Sequence, residues 1–160
     1  MYSTAFALVL SVLAAVPTAV WPVGPPRPAI VRGWEPPASA YGPGHRGVDL
    51  AAPPGTEVRA TAAGRVSFAG PVAGRGVLSV THPATGAPPL RTTYEPVRPL
   101  VRQGTEVAAG QVVAVVAPDP GSHCTRRCLH WGLRRADTYL NPLSLIRRPP
   151  SRLLPLTDPG

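Results

Sequence analysis

Through the middle of the chain, apolar and polar residues alternate in short runs, as in Arg65-Val66-Ser67-Phe68-Ala69 and Gly76-Val77-Leu78-Ser79-Val80. A period of two is the mark of a half-buried strand, and the glycines and prolines between the runs read as turns. The pattern therefore predicts an all-β chain built on an antiparallel sheet with short hairpins and little helix. Leu129 and Trp131 fall on one face of such a strand and His130 on the other. Trp131 is expected in the core. Only Asn141-Pro142-Leu143-Ser144-Leu145-Ile146 reads as a short helix, with Asn141 as its cap and proline in its first turn.

The ends of the chain look different. Phe6 to Val16 is an apolar run too short to span a bilayer comfortably, followed by small residues around Ala19. It resembles a secretory signal peptide, although no Lys or Arg precedes it. From Trp21 onward the chain is Pro-rich and reads as an extended linker with Trp34 docked on the domain. The expected organisation is a signal peptide over 1–20, a linker over 21–41, one domain over 42–146 and a Pro- and Arg-containing tail over 147–160. The remaining length of roughly 110 residues suits one core rather than two.

Composition sharpens this picture. The 23 prolines and 16 glycines are consistent with scarce helix. The net charge is +8, and every one of the 16 basic residues is arginine. Such a balance suits an anionic partner. No nucleic-acid-binding motif accompanies it, so nucleic acid is not an expected partner. Arg126, Arg127, Arg134 and Arg135 flank the His130 strand and are candidates for a groove rim. The hairpin from Gly104 to Val116 resembles those of biotinyl and lipoyl carrier domains, but these modify a lysine and the chain has none.

Two clusters carry candidate chemistry: Gly44-His45-Arg46-Gly47-Val48-Asp49 and Cys128-Leu129-His130-Trp131. Two imidazoles and a carboxylate suit a zinc site that keeps its fourth position open. His45 and Asp49 would lie roughly 13 Å apart at Cα in a fully extended strand. The chain is therefore expected to bend between them, and Gly44 and Gly47 supply the freedom to do so. Cys124 and Cys128, the only cysteines, are spaced for a disulfide closing a tight loop, as expected in an oxidising compartment. A closed structural zinc site made of His123, Cys124, Cys128 and His130 is the alternative.

Residues 42–146 resemble the zinc metalloendopeptidase domain of the LytM and lysostaphin type. The landmarks occur in order: His45-x-x-x-Asp49, Gly55 to Val66, Thr92-Thr93-Tyr94, Gly104 to Val112, and Leu129-His130-Trp131. The resemblance implies the fold of that family, Zn²⁺ held by His45, Asp49 and His130, and a secreted, cell-wall-associated protein acting on the peptide cross-links of peptidoglycan. Active members place two more histidines near the metal, in a Tyr-x-His and as the first residue of a His-x-His. Here those positions are Pro96 and Cys128. Glu95 and His123 are the candidate catalytic substitutes, Glu95 on condition that Pro96 ends its strand and turns the chain. His82 reads as a half-buried strand-end residue. Two functions follow: a zinc endopeptidase of the cell wall, or a degenerate member that binds peptidoglycan or regulates another cell-wall hydrolase.

Overall fold

The computed structural model describes residues 18–39, 42–118, 124 and 127–146. The expected signal peptide up to residue 17, the tail from residue 147, His123 and Arg126 lie outside them. The described chain is nearly all β, as the alternation predicts. A larger sheet contains β1 (Ile30–Arg32), β2 (Gly47–Ala51), β4 (Gly64–Val72), β5 (Arg75–His82), β6 (Leu90–Glu95), β8 (Glu106–Val107), β10 (Cys128–Arg135) and β11 (Thr138–Leu140). Its order is β1-β2-β10-β6-β5-β4-β8, with β11 paired to β10. A smaller sheet contains β3 (Glu57–Arg59), β7 (Val97–Pro99) and β9 (Val112–Val116) in the order β3-β9-β7. All pairings between these strands are antiparallel.

The alternation converts directly into a core. On β10, Leu129, Trp131 and Leu133 are almost wholly buried, and Leu129 and Trp131 join Val48 and Leu50 of β2 and Tyr94 of β6 in the core cluster. Full burial of one such apolar side chain contributes about 1.5–3 kcal/mol relative to exposure. The opposite face of the same three strands carries Asp49, His130 and Glu95. Asp49 pairs with His130, and His130 pairs with Glu95, so the three stand in one row across β2, β10 and β6.

The Pro-rich stretch before the domain packs against it. Val20 N–H donates to Thr61 O at 2.8 Å, Arg59 N–H donates to Pro22 O at 2.8 Å, and Val23 is only 2% exposed. Trp21 stacks at a tilt on Trp131 with ring centroids 6.1 Å apart, and Trp34 is partly buried against the core. The expected helix at Asn141 is a single 3₁₀ turn, Pro142–Leu145, with the Asn141 side chain accepting from Leu143 N–H at 3.0 Å.

Candidate metal centre

His45 precedes β2 in a turn held by a two-way backbone bridge to Glu35. Glu35 N–H donates to His45 O at 3.1 Å, and His45 N–H donates to Glu35 O at 2.8 Å. A Cβ on Gly44 would sit 2.7 Å from Glu35 O, so only glycine lets the two segments meet. The turn swings the His45 ring back over β2, and its Nε2 comes within 3.1 Å of Asp49 Oδ1. The bend anticipated between the two residues therefore lies before the strand, not within it.

Gly47 has a different reason from the one its neighbours suggest. It lies in β2, outside the positive-φ set. A Cβ there would stand 2.6 Å from both His130 Nε2 and Trp131 O. Gly47 is thus a seat for the His130 ring rather than a hinge.

Three donor atoms converge. His45 Nε2 is 3.1 Å from His130 Nδ1, and His130 Nδ1 is 2.8 Å from Asp49 Oδ1. The rings of His45 and His130 meet edge to face, 4.9 Å between centroids. His45 is 4% and Asp49 1% exposed, while the His130 side chain keeps 15% of its surface. Of the three side chains, His45 and Asp49 form the buried wall and His130 keeps the most exposure. His45 Nδ1–H donates to Gly33 O at 2.6 Å, which orients the ring with Nε2 facing Asp49 and His130.

This donor set fits zinc. Bonds of 2.0–2.2 Å in a tetrahedron put the ligand atoms about 3.4 Å apart. The three observed separations, from 2.8 to 3.1 Å, need to spread by only a few tenths of an ångström. The two imidazoles and the carboxylate offer nitrogen and oxygen donors of the kind zinc takes, and three protein ligands leave a fourth position for substrate or water.

Outside the donors, the neighbourhood divides. On one side a cleft of about 300 Å³ is lined by Glu95, His130, Thr93, Arg46, Arg134 and Tyr139, among others. Glu95 is the last residue of β6, and the chain then turns through Pro96 into β7 of the smaller sheet. Its place opposite His130 gives it the site face. Arg46 and Arg134 both lie over the Tyr139 ring, at 5.7 and 5.2 Å. Arg134 also pairs with Asp137 at 2.9 Å, whereas Arg135 turns away to donate to Pro88 O and Thr85 O.

On the other side Pro96, Cys124, Arg127 and Cys128 help to line a small cavity of about 50 Å³. Cys124 and Cys128 form a disulfide, Cα atoms 6.0 Å apart. The two positions that resemble the family's extra histidines thus meet in space, but hold a proline and a bonded sulfur. A closed site using both thiolates and His130 is incompatible with this pairing. His82 is 2% exposed, more deeply buried than expected, and lies in the core. Its Nδ1–H donates to Ala63 O at 2.9 Å, and its Nε2 meets Thr92 Oγ1 at 2.9 Å.

The match to a family model decides the affiliation: residues 43–142 match the model of Peptidase family M23. The chain belongs to this family. Uncharacterized proteins of Mycobacterium tuberculosis and Mycobacterium bovis are 44% identical over 145 residues, covering 88% of this M23 chain. The chain spans 56% of the length of those relatives. A zinc-containing peptidase from Vibrio cholerae superposes with a TM-score of 0.62 at 25% identity, over 78% of this chain and 38% of that one. A chain of a SpoIIIAH–SpoIIQ complex superposes with a TM-score of 0.64 at 26% identity, over 80% of this chain and 99% of that one. The M23 fold is thus found both in a metal-containing peptidase and in a protein–protein complex.

Proposed function

We propose that this chain is a zinc-binding M23 domain that acts on the peptide cross-links of peptidoglycan at the bacterial cell wall, outside the cytoplasm. The convergence of His45 Nε2, Asp49 Oδ1 and His130 Nδ1 carries this reading. The zinc of the structurally similar Vibrio cholerae peptidase supports the choice of metal. The apolar run from Phe6 to Val16 and the Cys124–Cys128 disulfide support export.

Zinc bound at these residues supplies Lewis-acid polarisation of a scissile carbonyl. His45, oriented by Gly33 O, and Asp49 hold the closed wall of the site. Glu95, in the cleft beside His130, accepts the proton of the attacking water at its carboxylate. Arg46 and Arg134 line the same cleft and favour acidic groups on the substrate peptide.

The occupants of the other side favour a second reading. Neither Pro96 nor the bonded Cys128 can exchange a proton, and loss of a general acid or base typically slows a reaction by about 10² to 10⁴. In that reading the domain holds zinc and peptidoglycan without rapid turnover, and serves another cell-wall hydrolase as a regulator. The test is digestion of purified peptidoglycan by the protein with and without added zinc, alongside a sedimentation assay for binding. Zinc-dependent release of soluble fragments, lost in Glu95→Gln, supports the peptidase. Zinc-dependent binding without release supports the second reading, and neither release nor binding sinks both.

A further inference from the structure

The disulfide lies against the same carboxylate that completes the metal centre. A carboxylate oxygen of Asp49 and the sulfurs of Cys124 and Cys128 all lie within 4.8 Å of one another. All three residues are buried, with Asp49 1%, Cys124 8% and Cys128 4% exposed. Cys128 is two residues from His130 on β10 and pairs with Ala51, so it shares the face on which His130 meets Asp49. Asp49 is therefore common to two ligand groups, one with two imidazoles and one with two sulfurs.

While bonded to each other, the sulfurs are poor ligands. A thiolate, by contrast, is among the best zinc donors, with a bond near 2.3 Å, and a fourth protein ligand turns an open catalytic site into a closed structural one. The cavity of about 50 Å³ beside Pro96, Cys124 and Cys128 gives a released sulfur room to turn.

We propose that reduction of the Cys124–Cys128 disulfide makes Cys128 Sγ a fourth protein ligand of the metal centre, closing the position that is otherwise open. This rests on the zinc site proposed above. The reductant is a dithiol: its two sulfurs become a disulfide, and two electrons and two protons pass to Cys124 and Cys128. On coordination Cys128 releases its proton to solvent, and Cys124 remains a thiol. The oxidised form is the one that admits substrate, and the reduced form stores metal in a closed site.

The test uses cobalt(II) as a spectroscopic substitute for zinc in the full chain. In the oxidised protein, cobalt bound to nitrogen and oxygen donors shows visible bands only. Reduction with a phosphine is expected to add a near-ultraviolet sulfur-to-cobalt charge-transfer band, lost again on reoxidation. Cys124→Ser frees Cys128 permanently and should show the band without reductant, and Cys128→Ser should never show it. Far-ultraviolet circular dichroism of the same samples establishes that each is folded, and reduction of the unaltered protein needs no variant at all. A reduced protein that binds cobalt with an unchanged spectrum overturns the thiolate ligand while leaving the zinc site standing. Failure of cobalt to bind in either state overturns both. Binding only after reduction, with the band, supports the thiolate and overturns the open three-ligand centre.

Discussion

Two buried polar clusters sit on opposite faces of the large sheet, and both contain histidine. On the core face His82 is joined through Thr92 Oγ1 to the Tyr94 hydroxyl at 2.9 Å. Tyr94 in turn accepts from Thr61 N–H at 2.9 Å and donates to Thr61 Oγ1 at 3.1 Å. The ring nitrogens of His82 and the hydroxyls of Thr92 and Tyr94 each have hydrogen-bond partners within 3.1 Å, which is the usual condition for burying polar groups. On the other face, His45 Nε2, Asp49 Oδ1 and His130 Nδ1 bring two ring nitrogens and a carboxylate oxygen together, with His45 Nδ1–H committed to Gly33 O. Burial of histidine by itself therefore says little about function. What separates the clusters is the chemistry that surrounds the histidine: hydroxyl and amide groups around His82, but a second imidazole and a carboxylate, the donor types that zinc takes, around His45.

The largest effect expected from this contrast is at Asp49. Asp49→Ala removes the oxygen that meets both imidazoles, and bound zinc should fall from about one per chain to near zero by elemental analysis of dialysed protein. Thr92→Val, in the other cluster, should leave zinc unchanged. Full zinc in Asp49→Ala would erase the distinction.

Gly47→Ala comes next. Its Cβ would collide with His130 Nε2 and Trp131 O, each 2.6 Å away, and the strand cannot move away from both. Zinc affinity, measured by competition with a chelator, should weaken roughly 10- to 100-fold, as when the groups that orient a metal ligand are lost. Unchanged affinity would mean that the ring is not seated by Gly47.

Tyr94→Phe probes the satisfied cluster. Burial pushes the Tyr94 phenol above its ordinary pKa, so it stays protonated and donating. The variant leaves Thr61 and Thr92 short of a partner and should lower stability by about 1–3 kcal/mol in urea unfolding, with zinc content unaffected. Loss of zinc there would tie the two clusters together.

The smallest effect is a pH dependence. Burial pushes the His82 pKa below its ordinary 6.5, partly opposed by the hydrogen bond to Ala63 O. The unfolded chain then takes up this proton at higher pH than the native one. The stability due to neutral His82 is complete above about pH 6.5 and is lost as the pH falls from there toward the depressed native value, at up to about 1.4 kcal/mol per pH unit. His82→Gln should flatten this part of the profile when urea midpoints are compared about one pH unit above and below the ordinary imidazole pKa of about 6.5. A variant as acid-sensitive as the parent would assign the loss to other groups.

Much of this was legible in the sequence because it depends on local periodicity. Alternation placed Leu129 and Trp131 in the core and His130 on the other face, the Asn141-Pro142 pair marked a capped turn, and the spacing of Cys124 and Cys128 anticipated their bond. His45, Asp49 and His130 could be named as ligands because their residue types and order resemble a family motif. Tertiary structure decided the rest, because distances between segments are set by strand register and chain crossings, which no local pattern encodes. It made Gly47 a seat rather than a hinge, since the ring above it belongs to a residue 83 positions later in the chain. It put Glu95 in the row with His130 and Asp49, because pairing aligns the end of β6 with the middle of β10. It also set the disulfide against Asp49, since Cys128 and Asp49 lie on neighbouring strands whose register brings one sulfur-bearing side chain and one carboxylate to the same face.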